Sequence, residues 1–102
     1  EMSEEFDINN LDKVFESRIR LGVMSVLSVN DYADFNTLKS LLKVTDGNLA
    51  SHISALEKCN FILVNKEFVG KKPRTTYKIT EEGRLAFERH LSFLEKLIQL
   101  NK

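Results

Sequence analysis

Residues 45–80 read TDGNLASHISALEKCNFILVNKEFVGKKPRTTYKIT, and the change of period inside this stretch decides the fold. From Thr45 to about Cys59 the apolar residues recur at helical spacing. Leu49, Ile53 and Leu56 fall at i, i+4 and i+7 on one side, with His52 and Cys59 on the flank. Thr45 or Asp46 caps the start. Opposite lie Gly47, Ser51, Ser54 and Lys58, with Asn48 and Ala55 toward one edge. After Cys59 the period shortens. Phe61 to Phe68 is rich in β-formers, and Thr75, Tyr77 and Ile79 alternate with Thr76, Lys78 and Thr80. Between them, Val69-Gly70-Lys71-Lys72-Pro73-Arg74 predicts a hairpin loop, too long for a two-residue turn.

Upstream, Leu11, Val14, Phe15, Ile19, Val23, Met24, Val26 and Leu27 follow a helical period, in one helix or in two if Ser17 caps a fresh one. Val29 to Asp34 is polar and reads as a loop or a very short strand. Asn36 is the expected cap of a helix through Thr37 to Lys43 that buries Leu38, Leu41 and Leu42, and a turn at Val44 to Asp46 follows. Downstream, Thr80 caps a last helix to about Leu100, with Glu81 and Glu82 in the first turn, where the dipole favours acids. The expected class is mainly α with a small β-hairpin. Two helices joined by a short turn and followed at once by a hairpin make a winged helix-turn-helix, here plus a long C-terminal helix. The 102 residues suit one domain, 1–102, with an acidic N-terminal segment at 1–10.

Charge follows this layout. The chain holds 15 Lys+Arg and 15 Asp+Glu, a net of zero. Yet Glu1, Glu4, Glu5, Asp7, Asp12 and Glu16 stand against Lys13 alone in residues 1–16, while residues 61–80 carry Lys66, Lys71, Lys72, Arg74 and Lys78 against Glu67. Neutrality therefore hides a basic hairpin. Lys71, Lys72 and Arg74 at its tip suit phosphate or minor-groove contact, where each neutralised phosphate releases counterions. The small polar outer face of the third helix lets a duplex approach, with Ser and Asn able to bond base edges or phosphates and the helix N-terminus offering N–H groups. An exposed, merely solvated helix has the same composition. Candidate double-stranded DNA contacts are Asn36, Thr37, Thr45, Asp46, Gly47, Asn48, Ser51, Ser54, Lys58, Lys71, Lys72, Arg74 and Thr75.

In the last helix Phe87, Leu91, Leu94, Leu97 and Ile98 form an apolar stripe, widened by His90, Phe93 and Leu100, with Leu85 opposite. It either folds over the first helix or makes a homodimer at 81–102, whose interface would be these five stripe residues. No apolar run exceeds the four residues Phe61 to Val64, so no membrane span is expected, and the acidic start does not suggest a signal peptide. Catalysis finds no nucleophile with a base at usable spacing, no Gly-rich phosphate loop and no HExxH pair; no enzyme, metal site or cofactor is expected. The single cysteine, Cys59, excludes an internal disulfide and a Cys-cluster zinc site, and reads as packing.

Thr45 to Glu57, Val69 to Thr80 and Glu81-Glu82-Gly83-Arg84 together resemble winged-helix transcriptional regulators of the MarR/ArsR-like superfamily, above all its small single-domain bacterial and archaeal group. The resemblance runs from about Ser17 to the C-terminus. It implies a cytoplasmic, homodimeric, sequence-specific DNA-binding regulator, a repressor, with the third helix in the major groove and the wing on the backbone or minor groove. A small-molecule effector near the dimer interface is also within the family's habits, but no residue names one. His52 matches a position that is half-buried and structural in such helices. Ser51 and Ser54 depart from the pattern, since relatives often carry Arg or Lys there. Bidentate guanine readout is therefore absent at those positions, and shape-dependent discrimination is expected. A winged helix used as a protein–protein module is the rival reading.

Overall fold

A computed structural model describes residues 13–101. The 1–10 segment and its expected acidic character fall outside them. A 3-10 turn (Lys13–Glu16) leads into α1 (Arg18–Val29), β1 (Ala33–Asp34), α2 (Phe35–Leu42), α3 (Asp46–Lys58), β2 (Ile62–Val69), β3 (Lys72–Ile79) and α4 (Glu81–Leu100). The upstream helical stretch is thus broken at Ser17, whose Oγ accepts from the N–H groups of Ile19 and Arg20 at 3.2 and 3.3 Å. The polar stretch after α1 does contain a short strand, and the three antiparallel strands lie in the order β1-β3-β2.

Three expectations need correction. The cap of α2 is Asp34 rather than Asn36, because β1 runs straight into the helix and the Asp34 carboxylate accepts the Thr37 N–H at 2.8 Å. That bond, then the Thr37 hydroxyl, holds the Asp34 carboxyl below its ordinary 3.8. Leu41 is 59% exposed, not buried. The buried face of α2 is centred on Phe35, Leu38 and Leu42, and one step of 100° back from Leu42 carries Leu41 past its edge. The hairpin turn is also shorter than expected. Val69 pairs with Lys72 across a two-residue turn, Gly70-Lys71, with Gly70 at φ 68. A glycine with positive φ in the first loop position suits the primed turns that match strand twist. Pro73 did not break the strand because β1 covers β3 only at Thr76 and Tyr77. At Pro73, β3 has one neighbour, so a missing N–H leaves no rung unfilled.

The core unites every element. Val23, Met24, Leu27, Leu38, Leu49 and Leu56 are fully enclosed, and Ile53, Ile62, Tyr77 and Ile79 complete the helix–sheet contact. A second aromatic layer ties in α4: Phe15 stacks on Phe61 at 5.7 Å and meets Phe87 edge-on at 5.9 Å, with the His90 ring 5.0 Å away. Gly83 makes this docking possible, since a Cβ there would stand 2.1 Å from the Phe61 carbonyl oxygen.

Candidate nucleic-acid interface

The third helix is built as its spacing requires. Leu49, Ile53 and Leu56 are buried, and Gly47, Asn48, Ser51, Ser54 and Lys58 are exposed. Of the two possible caps it is Thr45, whose Oγ1 accepts the Asn48 N–H at 3.3 Å. Asp46 is spent elsewhere: its carboxylate meets Lys39 Nζ at 2.7 Å and ties α3 to α2. Exposed pairs of this kind contribute little stability, about 0–1 kcal/mol, and this one leaves the first-turn carboxylate beside a cation.

His52 is half-buried and engaged, as the resemblance implied. Its Nδ1 accepts from Arg20 Nε at 2.9 Å, bridging α1 and α3. Burial, then the Arg20 charge, keeps its pKa below 6.5, so the ring is the neutral acceptor this bond needs. Cys59 is half-buried against the core.

The wing's basic residues separate into two kinds. Lys71 lies in the turn and Lys72 opens β3; both are exposed. Arg74 is not at the tip. It pairs in register with Glu67, and its guanidinium sits 5.4 Å over the Tyr32 ring. It also faces Asp34, whose carboxyl it helps keep ionised. Arg74 thus fastens the root of the wing to the start of α2. An open notch of about 560 Å³ brings together Asn36 from α2 and Lys72, Pro73, Arg74 and Thr75 from β3. Thr37 is exposed one residue beyond Asn36.

Sequence reasoning did not single out Tyr32, 53% exposed, or Phe68, 73% exposed. An aromatic just before β1 was legible as a stacking surface only once β1 was known to lie beside β3.

α4 has two halves. Gly83, Ala86, Phe87 and His90 are buried, and Arg84 Nη1 donates to the Ser28 carbonyl at 3.3 Å. Phe87, expected at a dimer interface, belongs instead to the protomer's aromatic layer. From Leu91 onward no described residue of the helix is buried: Leu94 and Leu97 are half-exposed, and Leu91, Ile98 and Leu100 are 43%, 61% and 63% exposed. Leu85 is exposed on another side. Among the described residues no helix is long and apolar enough to cross a membrane, and no group of three or more His, Cys, Asp or Glu is placed to hold a metal ion.

Three helices, a short third strand and a two-stranded wing beside an exposed polar helix define a winged-helix domain. The Winged helix DNA-binding domain family matches residues 19–98, and the chain belongs to it. An uncharacterized protein of Methanocaldococcus jannaschii is 37% identical over 90 residues, covering 88% of this chain and 95% of its own. A transcriptional regulator homologue from Pyrococcus horikoshii has a solved structure with TM-score 0.73 and 34% identity, covering 85% of this chain and 91% of its own. A MarR-family transcriptional regulator from Silicibacter pomeroyi has the same fold at TM-score 0.68 and 17% identity, over 81% of this chain and 55% of its own. The winged-helix part of the resemblance stands.

Proposed function

We propose that this protein is a cytoplasmic, sequence-specific DNA-binding transcriptional regulator that acts as a homodimer, with no catalytic role. The reading rests on one observation: the exposed, small, polar face of α3 (Gly47, Asn48, Ser51, Ser54 and Lys58) stands on the same body as an exposed basic wing. α3 enters the major groove and the wing runs along the backbone into the minor groove. Asn36 and Thr45 flank the helix as phosphate donors, Thr37 stands beside them with its hydroxyl given to Asp34, and Thr75 lines the notch at the wing's root. Occupancy of its site makes it a repressor. The distal half of α4 supplies the dimer contact through Leu91, Leu94, Leu97 and Ile98, so that two copies of α3 reach major grooves about one turn, roughly 34 Å, or a multiple apart.

The test is duplex binding as a function of salt. Replacing the exposed Lys66, Lys71 and Lys72 together by Ala should flatten the slope of log affinity against log salt by up to about 3 units. An unchanged slope, or a wild type that binds no duplex at low salt, sinks the reading in favour of a protein–protein module. Leu94→Glu should turn the dimer into a monomer by light scattering and weaken duplex binding; a dimer that survives it refutes the α4 interface.

A further inference from the structure

The face of the β2–β3 hairpin that covers the core continues beyond it. Side chains alternate along a strand, so Ile62 and Val64 of β2 share a face with Lys66 and Phe68. On β3, Ile79 and Tyr77 share it with Thr75 and Pro73. The inner members of this face are buried or half-buried, whereas Lys66, Phe68 and Pro73 are exposed and overhang. Phe68 stands opposite Pro73 in the register. Together they make an apolar patch near the tip of a wing that carries Lys66, Lys71 and Lys72 against Glu67. A solvated hairpin gains nothing from a phenylalanine 73% exposed.

We infer that Phe68, backed by Pro73, is the wing's apolar contact in the minor groove of duplex DNA, packing on the sugars or wedging against a base step while the three lysines hold the flanking phosphates. Charge complementarity selects the occupant. Lysine is depleted at protein–protein interfaces, and here three lysines surround the apolar tip. A minor groove offers apolar sugar walls between two rows of phosphates, and apolar wedges beside basic residues are a recurrent way of entering it. With Ser51 and Ser54 on α3 supplying no bidentate readout, a wedge that senses groove width and step flexibility gives the discrimination by shape that the helix lacks. The inference rests on the DNA-binding reading and deepens it.

The chain has no tryptophan, so Phe68→Trp places a single tryptophan, excited apart from the two tyrosines, at the contact. The probes are fluorescein-labelled mixed-sequence duplexes about 30 bp long, roughly three helical turns. Emission of Phe68→Trp should be quenched on duplex addition and become protected from acrylamide. Phe68→Ser should bind about tenfold more weakly with the salt slope unchanged, since it removes stacking and no charge. Its melting temperature should match wild type, because the side chain is exposed.

If Phe68→Ser binds like wild type and the tryptophan stays accessible, the wedge is overturned, while the lysine-dependent slope keeps the DNA reading standing. If the wild type binds no duplex, both fall. If Phe68→Ser changes the mass of the free protein by light scattering, the tip is a contact between copies, and the wedge is again overturned.

Discussion

α3 and the wing are the two regions proposed to face DNA, and they are made in opposite ways. α3 buries three large apolar residues under an outer face of Gly, Asn and Ser with Lys58 at its end, so its position is set by the core. The distal wing buries nothing: from Asn65 to Pro73 every residue is exposed, and this stretch carries Lys66, Lys71 and Lys72. Shape therefore comes from the rigid element, and charge from the projecting one. The difference teaches why a neutral chain can present a basic surface. Cations on a hairpin that projects beyond the core stay hydrated and cost little desolvation.

The contrast breaks hardest at the foot of the wing. Thr80 donates its hydroxyl to the Asn60 carbonyl at 2.7 Å and accepts the Gly83 N–H at 2.8 Å, so both ends of the hairpin are clasped to the start of α4. Gly83→Ala drives a Cβ into the Phe61 carbonyl. It should cost more than about 3 kcal/mol, read by chemical denaturation, because the obstacle is backbone and cannot rotate away. Wild-type stability in this variant would show that the clasp yields.

A smaller effect separates the wing's root from its tip. Asp34→Ala removes the cap of α2 and the carboxylate facing Arg74, and should cost about 1 kcal/mol at neutral pH. The sign of its pH dependence follows from the lowered carboxyl pKa. Its contribution is full above the ordinary 3.8 and is lost as pH falls through the lower folded value, so wild type and variant should converge in acid. A gap that persists below that range would assign the effect to packing.

The smallest change sharpens α3. A Cβ at Gly47 meets nothing within 4 Å. Gly47→Ala should raise stability by about 0.5–1 kcal/mol through helix propensity, yet weaken duplex binding if phosphate lies against that turn. Tighter binding would place the backbone elsewhere.

Much of this was legible in the chain. Leu49, Ile53 and Leu56 predicted the face of α3, Thr80 the start of α4, and the period change after Cys59 the hairpin. These depend on neighbours within a few residues, where backbone geometry alone relates side chains. The misreadings share one cause. Gly70-Lys71 reads as part of a longer loop because Pro73 is a strand breaker, and only the position of β1 shows that β3 has a free edge there. Asp34 reads only as the end of a polar stretch, with Asn36 as the cap, because the strand that delivers Asp34 is two residues long and is stabilised by β3, over 40 residues away.

By itself, then, the sequence determined the helical faces, the capping threonine of α4 and the segregation of charge, all of them local consequences of residue type and spacing. The tertiary structure alone decided the rest. It assigned Arg74 to Tyr32 instead of the tip, split the α4 stripe into a buried Phe87 and an exposed or half-exposed Leu91–Ile98, and left Phe68 overhanging the core. In each case the outcome depends on which distant element arrives beside the residue, and burial is a property of that meeting.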